Sequence, residues 1–138
     1  MTAWERDFIV RGRVARMATV DVHGHPSVVP IVYAFDDRLY TPLDAKPKRV
    51  AATQLQRVRN IQAHPHVAIV VDHYSEDWRD LAWVLIRGTA DIVADGPTYG
   101  TGIELLRQKY PQYATLPLDG ALLIVVTPQT IRGWRAMD

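Results

Sequence analysis

The chain has 138 residues, 48% hydrophobic and 22% charged, with a formal net charge of +1 and no cysteine. That balance fits a globular fold able to bury its own core, and excludes disulfides, thiolate metal sites and a cysteine nucleophile. A near-neutral total gives no reason to expect nucleic acid as a partner. No apolar run approaches the roughly 18 residues of a membrane span. The first ten residues include Trp4, Glu5, Arg6 and Asp7 and lack the basic-then-apolar order of a signal peptide. The expectation is one cytoplasmic domain over residues 1–138, with no membrane partner.

Residues 14–20 are short and apolar and end at Asp21–Gly24, a turn signal. Residues 27–35 are rich in β-branched and aromatic residues and read as a strand. Pro30 inside that run has no N–H for a ladder, so it predicts a bulge or an open edge. Asp36 and Asp37 turn the chain into a third strand over 38–41, which makes an antiparallel meander.

The period then changes. Over 49–63, Ala51, Leu55 and Val58 share one face, while Arg49, Thr53, Arg57 and Asn60 share another, which predicts an amphipathic helix stopped by Pro65. Residues 66–74 and 81–93 read as strands, the second with a bulge or bend at Arg87-Gly88. A helix over 98–110 follows, with Thr98 as N-cap, and then 121–126 and 130–135 form a strand pair or one bent strand. Six or seven mostly antiparallel strands and two helices favour a closed barrel, since closure removes free edges. Several strands are apolar on both faces, for instance Val28, Val29, Ile31 and Val32. A barrel has one inner face, so the outer one needs a cover, which argues for a homodimer.

No Rossmann, P-loop, zincin or nucleophile-elbow pattern occurs, and Gly100 and Gly102 lack the third glycine of a dinucleotide turn. From Lys46 to Arg59 there are five cations and no acid. A phosphate needs charge-assisted donors converging from different elements. Loop residues Lys46 and Lys48 with Arg57 and Asn60 on the helix match that need, and Thr41 at a strand end adds a hydroxyl; a solvated helix face and a turn cap are the bland alternatives. His23, His25, His64 and His66 form two HxH pairs without a clear third ligand, so no metal is expected. Trp78, Trp83 and Trp134 could stack on a flat ring, although strand tryptophans more often serve a core or an interface. No acid–base pair stands out. In an enzyme, a cofactor would then carry the chemistry and the protein would orient it.

The ordered series RVARMATVDVHGHPSVVPIVYAFDDRLYT (13–41), LQRVRNIQAHPHVAIVVDHY (55–74), WVLIRGTADIV (83–93) and LLRQKYPQY (105–113) resembles the pyridoxamine 5'-phosphate oxidase-like split-barrel superfamily, in particular its F420-dependent branch. The step RNIQAHPHV at 59–67 is its most specific piece. The resemblance implies a mainly β, α+β fold: a six-stranded antiparallel split β-barrel of the FMN-binding type with two flanking helices. It further implies a homodimer with the cofactor in the groove between subunits. By resemblance, Thr41, Lys46, Lys48, Arg57 and Asn60 serve the phosphate, Val29 and Pro30 give backbone contacts near the ring, and Trp134 lies near the subunit interface. Arginine stands at 57 where relatives often carry lysine, and the segment after Thr41 is longer than in the vitamin B6 oxidases, which argues against vitamin B6 oxidation.

Three functions compete on this reading. The first is an F420-dependent oxidoreductase moving hydride to or from a small conjugated organic substrate. The second is an FMN-binding flavin reductase or oxidase of the same fold. The third is a non-catalytic carrier of flavin, F420 or haem.

Overall fold

The computed structural model describes residues 1–43 and 55–137. Lys46, Lys48 and the first part of the helix expected from residue 49 lie outside the described residues.

Seven strands form one sheet: β1 (Ala15–Val20), β2 (Pro26–Ile31), β3 (Ala34–Phe35), β4 (Leu39–Pro42), β5 (His66–His73), β6 (Ala82–Val93) and β7 (Leu123–Arg135). Their order is β2-β1-β5-β6-β7-β4-β3, every pairing antiparallel. The two edges, β2 and β3, are joined by Val32 and Tyr33 alone. Three Cα steps cover about 11 Å at most, so the outermost strands must meet. The sheet therefore curls into a barrel that is split between β2 and β3. Expected and observed fold agree in kind. The structure adds a seventh strand by dividing the run 27–35, and a third helix among the described residues.

That division corrects the expected meander. β1 and β2 form a hairpin, but β4 pairs with β3 and β7, not with β2. The break has a side-chain cause. Tyr33 is fully buried, its hydroxyl donates to the Ile9 carbonyl at 2.5 Å, and its N–H donates to the Tyr110 hydroxyl at 3.2 Å. These bonds pull the chain across the barrel mouth instead of along one strand.

Pro30 sits on the open edge as expected. The Asp21 N–H donates to the His25 carbonyl at 3.0 Å. Counting in twos through the register, Ser27 and Val29 exchange backbone bonds with β1, while the nitrogens of Pro26 and Pro30 face the free edge. The turn between the strands is an Asx turn: the Asp21 carboxylate accepts from the N–H groups of His23 (2.8 Å) and His25 (2.9 Å), with Gly24 at φ 82°.

The bend in β6 is real. The β6–β7 register shifts between Arg87 and Gly88, and a Cβ at Gly88 would run into the Thr127 carbonyl. Residues 123–135 form one long strand.

Three helices dress the barrel. α1 (Ala3–Arg11) opens with a capping box: the Thr2 hydroxyl accepts from the Glu5 N–H at 3.3 Å and the Glu5 carboxylate accepts from the Thr2 N–H at 2.7 Å. α2 (Gln56–Ala63) sends Val58 and Ile61 into the barrel core beside Met17, Ile69, Val84 and Ile86. α3 (Pro97–Lys109) begins at Gly96, with Pro97 as its first residue, so Thr98 is not the N-cap. α3 lays Ile103, Leu106 and the adjoining Tyr110 on the outer faces of Tyr40, Leu123 and Val125, a second apolar cluster. Gly102 is the contact point, where a Cβ would lie 2.5 Å from Tyr40 Cδ1. Part of the outer apolar face is thereby covered from within the chain. The remainder keeps Val28, Trp83 and Trp134 exposed.

Candidate functional site

A cavity of about 490 Å³ opens beside the split in the barrel. Five segments build it. The edge strand β2 and its continuation bring Pro30, Ile31 and Val32; β4 brings Thr41 and Pro42; α2 brings Arg57; and the segment after α3 brings Tyr110, Gln112, Tyr113 and Leu116, with Arg13 and Val14 from the lead-in to β1. The volume lies in the range of small-molecule and cofactor sites. Among the described residues that line it there is no carboxylate and no histidine.

Of the residues expected at the phosphate, the structure brings Thr41 and Arg57 into this cavity, and Pro30 with them. Thr41 is 2% exposed and forms the floor, whereas Arg57 is half-buried on the wall. The Pro30 carbonyl faces the free edge, by the same register argument that places its nitrogen there. Val29 does not line the cavity: its backbone is committed to β1 and its side chain packs on the barrel core.

Asn60 goes elsewhere too. It is 1% exposed, donates through Nδ2 to Thr19 Oγ1 at 2.9 Å and accepts from Gln56 Nε2 at 2.6 Å. It is a polar brace tying α2 to β1, not a neighbour of Arg57 in the cavity. Asn60 is buried because its side of α2 lies against β1, where Thr19 takes its amide hydrogen bond, and not because it shares the face of Val58 and Ile61. Trp134 lies far along β7, opposite Trp83 in register and 45% exposed, outside the cavity.

The wall of Arg13 and Tyr110 was not foreseen. The Arg13 guanidinium stacks on the Tyr110 ring, 4.8 Å from its centroid, and donates to the Lys109 carbonyl at 3.1 Å. The Tyr110 hydroxyl accepts from the Tyr33 N–H and stands 2.9 Å from the Arg13 carbonyl and 3.0 Å from the Tyr33 carbonyl, donating to that pair. Behind it, Lys109 Nζ lies 3.9 Å from the Tyr33 ring centroid and has no hydrogen-bond partner among the described residues. Burial, aided by the nearby Arg13 charge, lowers the Lys109 ammonium to about 8. Burial likewise raises the phenols of Tyr33 and Tyr110, against the opposing charge of Arg13. The signal available in the sequence was the aromatic step Tyr110-Pro111-Gln112-Tyr113 just past a helix. Nothing local ties it to Arg13, 97 positions away from Tyr110.

A family profile described as pyridoxamine 5'-phosphate oxidase matches residues 1–135. The chain belongs to the pyridoxamine 5'-phosphate oxidase family. Solved structures of this fold include an F420 reductase, 26% identical, covering 96% of this chain and 98% of its own, with a TM-score of 0.71. A FAD-binding protein from Mesorhizobium loti is 21% identical, with 96% and 94% coverage and a TM-score of 0.69. HutZ, the heme storage protein from Vibrio cholerae, is 14% identical, with 94% and 90% coverage and a TM-score of 0.72. No curated protein sequence matches the chain.

The cavity residues fit a flavin-type group. A guanidinium and a buried hydroxyl are phosphate donors, and Val32, Tyr110 and Tyr113 are suited to a planar ring. Haem would have to take a tyrosine, Tyr110 or Tyr113, as its axial ligand here, since no histidine or methionine is among the described residues that line the cavity. No helix among the described residues is long and apolar enough to cross a membrane.

Proposed function

We propose that this protein is an F420-dependent oxidoreductase whose cavity beside the barrel split takes the phosphate and ring of the deazaflavin. The observation that carries this reading is the convergence of Arg57 and Thr41, from two different elements, on one cavity with an aromatic and apolar wall. Arg57 would hold the phosphate and Thr41 would donate to it; Lys46 and Lys48, candidates for the same phosphate from the sequence, lie outside the described residues. The Pro30 carbonyl at the free edge would accept from the ring. When bound, F420 supplies hydride chemistry, and the chain supplies position and exclusion of water. Among the described cavity residues none offers a carboxylate or imidazole, and a tyrosine or water is the proposed proton source for a small conjugated substrate.

FMN is the second reading, because the same cation and hydroxyl serve its single phosphate. A carrier without turnover is the third, in keeping with the lack of an acid–base pair among the described cavity residues. Titration of the purified protein with reduced F420 and with FMN separates these: micromolar F420 binding with oxidation on adding conjugated electrophiles fits the first. Protein that purifies yellow fits the second, and tight binding without turnover the third. Binding of neither at micromolar concentration ends all but a haem carrier.

The working unit is proposed to be a homodimer. Its basis is the outer sheet face on which Trp83 and Trp134 pair across strands and Val28 stays 64% exposed.

A further inference from the structure

The geometry points to Arg13 as a second anion-recognition point of the same cavity, so that what binds there presents two anionic groups: one at Arg57 and a further, carboxylate-like one at Arg13. This rests on the cavity being the cofactor site and names what else must enter it.

Arg13 is an exposed arginine at the cavity mouth, while Thr41 lies at the floor. Exposed arginines usually sway in solvent or pair with a neighbouring acid. Arg6, Arg16 and Arg107 each pair with an aspartate within 2.7 Å. Arg13 does neither. Stacking on Tyr110 and the bond to the Lys109 carbonyl fix its plane, and no carboxylate stands against it among the described residues. A guanidinium held in place keeps its remaining donors aimed in a fixed fork, the arrangement that binds a carboxylate through two bonds at once.

The surroundings sharpen the case. Lys109 Nζ is within 5.4 Å of the same Tyr110 ring and lacks a hydrogen-bond partner among the described residues, so two cations share one aromatic with no anion of the described residues against them. No acid is among the described residues that line the cavity, so an anionic ligand would meet that positive field. The anion has two sources. F420 carries glutamate carboxylates beyond its phosphate, which FMN lacks. A substrate carboxylate is the alternative.

Calorimetric titration of the wild type, Arg13→Gln and Arg57→Gln with F420 and FMN, and of the FMN-loaded protein with cinnamate, tests this. If the cofactor tail is the anion, Arg13→Gln weakens F420 about tenfold and leaves FMN within about twofold. If the substrate is the anion, both cofactors keep their affinity and cinnamate binding to the loaded protein is lost. Either result supports the proposal, and Arg13→Lys should fall between wild type and Arg13→Gln. Equal weakening of F420 and FMN, or no change in any of the three, overturns it. In that event Arg57→Gln still weakening both cofactors would leave the cavity assignment standing. If the wild type binds neither cofactor, the cavity assignment fails and takes this proposal with it. Should Arg13→Gln not fold, Arg13→Lys carries the comparison alone, with a threefold selective loss expected and none overturning it.

Discussion

Asn60 and Lys109 are each a polar side chain placed against apolar surroundings, and they differ in whether a partner is supplied. Asn60 has both its donor and its acceptor engaged, by Thr19 and Gln56. Removing it leaves a buried hydroxyl short of a partner, which costs roughly 1–3 kcal/mol. Asn60→Ala should therefore lower urea stability by that amount while leaving cofactor affinity unchanged; a selective loss of affinity with stability intact would return Asn60 to the phosphate site. Lys109 lacks such partners and is destabilised in its charged form, held at about 8. Its folded pKa lies below that of the unfolded chain. Between pH 8 and the ordinary lysine range the unfolded state binds more protons, so the wild type gains stability as pH rises. Lys109→Met removes that linkage. The variant should melt higher than wild type at pH 7, with the gap narrowing by pH 10, as followed by circular dichroism. A gap that widens with pH would reverse the assignment.

At the scale of elements, legibility tracked how local the cause was. The strands over 66–73 and 82–93, the bend at Arg87-Gly88 and the helix over 97–109 follow from period, turn residues and breakers close in sequence. α1 was missed although Thr2 and Glu5 carry its capping-box spacing, because its face toward the barrel is narrow, with Ile9 its one buried apolar residue. The split of 27–35 into two strands on opposite edges was not legible. Its cause is Tyr33 bonding to Ile9 and Tyr110, contacts 24 and 77 residues away. The same distance hid half the candidate site: Thr41, Pro30 and Arg57 are found by composition near one another, but the Arg13–Tyr110 wall needs α3 docked first. Gly102 is where that docking is set, against Tyr40 and Leu123. Gly102→Val should force α3 off the sheet, costing about 1–3 kcal/mol as an overpacking strain, and should weaken cofactor binding through Tyr110 without touching Arg57. Calorimetric melting and titration on the same sample check both, and unchanged affinity would separate α3 from the site.

For the whole molecule, the question is what covers the outer sheet face that α3 does not reach. Inside, the barrel is closed by α1 and α2: Trp4 lies on Gly133, and Val58 and Ile61 enter the core. Outside, Trp134 follows Gly133 on the opposite side of β7 and meets Trp83 of β6, both more than one-third exposed. Two adjacent tryptophans left in water forgo a large transfer gain, and a second copy presenting the same pair would bury it symmetrically. A homodimer, as expected from the sequence, would then have a specific seam. Trp134→Glu places a charge at its centre, where an unpaired buried carboxylate is costly. Since Trp134 stands on the outer face of β7, 45% exposed, the variant should keep its circular dichroism spectrum while its mass by sedimentation halves from dimer to monomer. If it remains a dimer, the seam lies elsewhere on the sheet; if the wild type itself sediments as a monomer, the exposed tryptophans need another explanation and the proposed assembly falls.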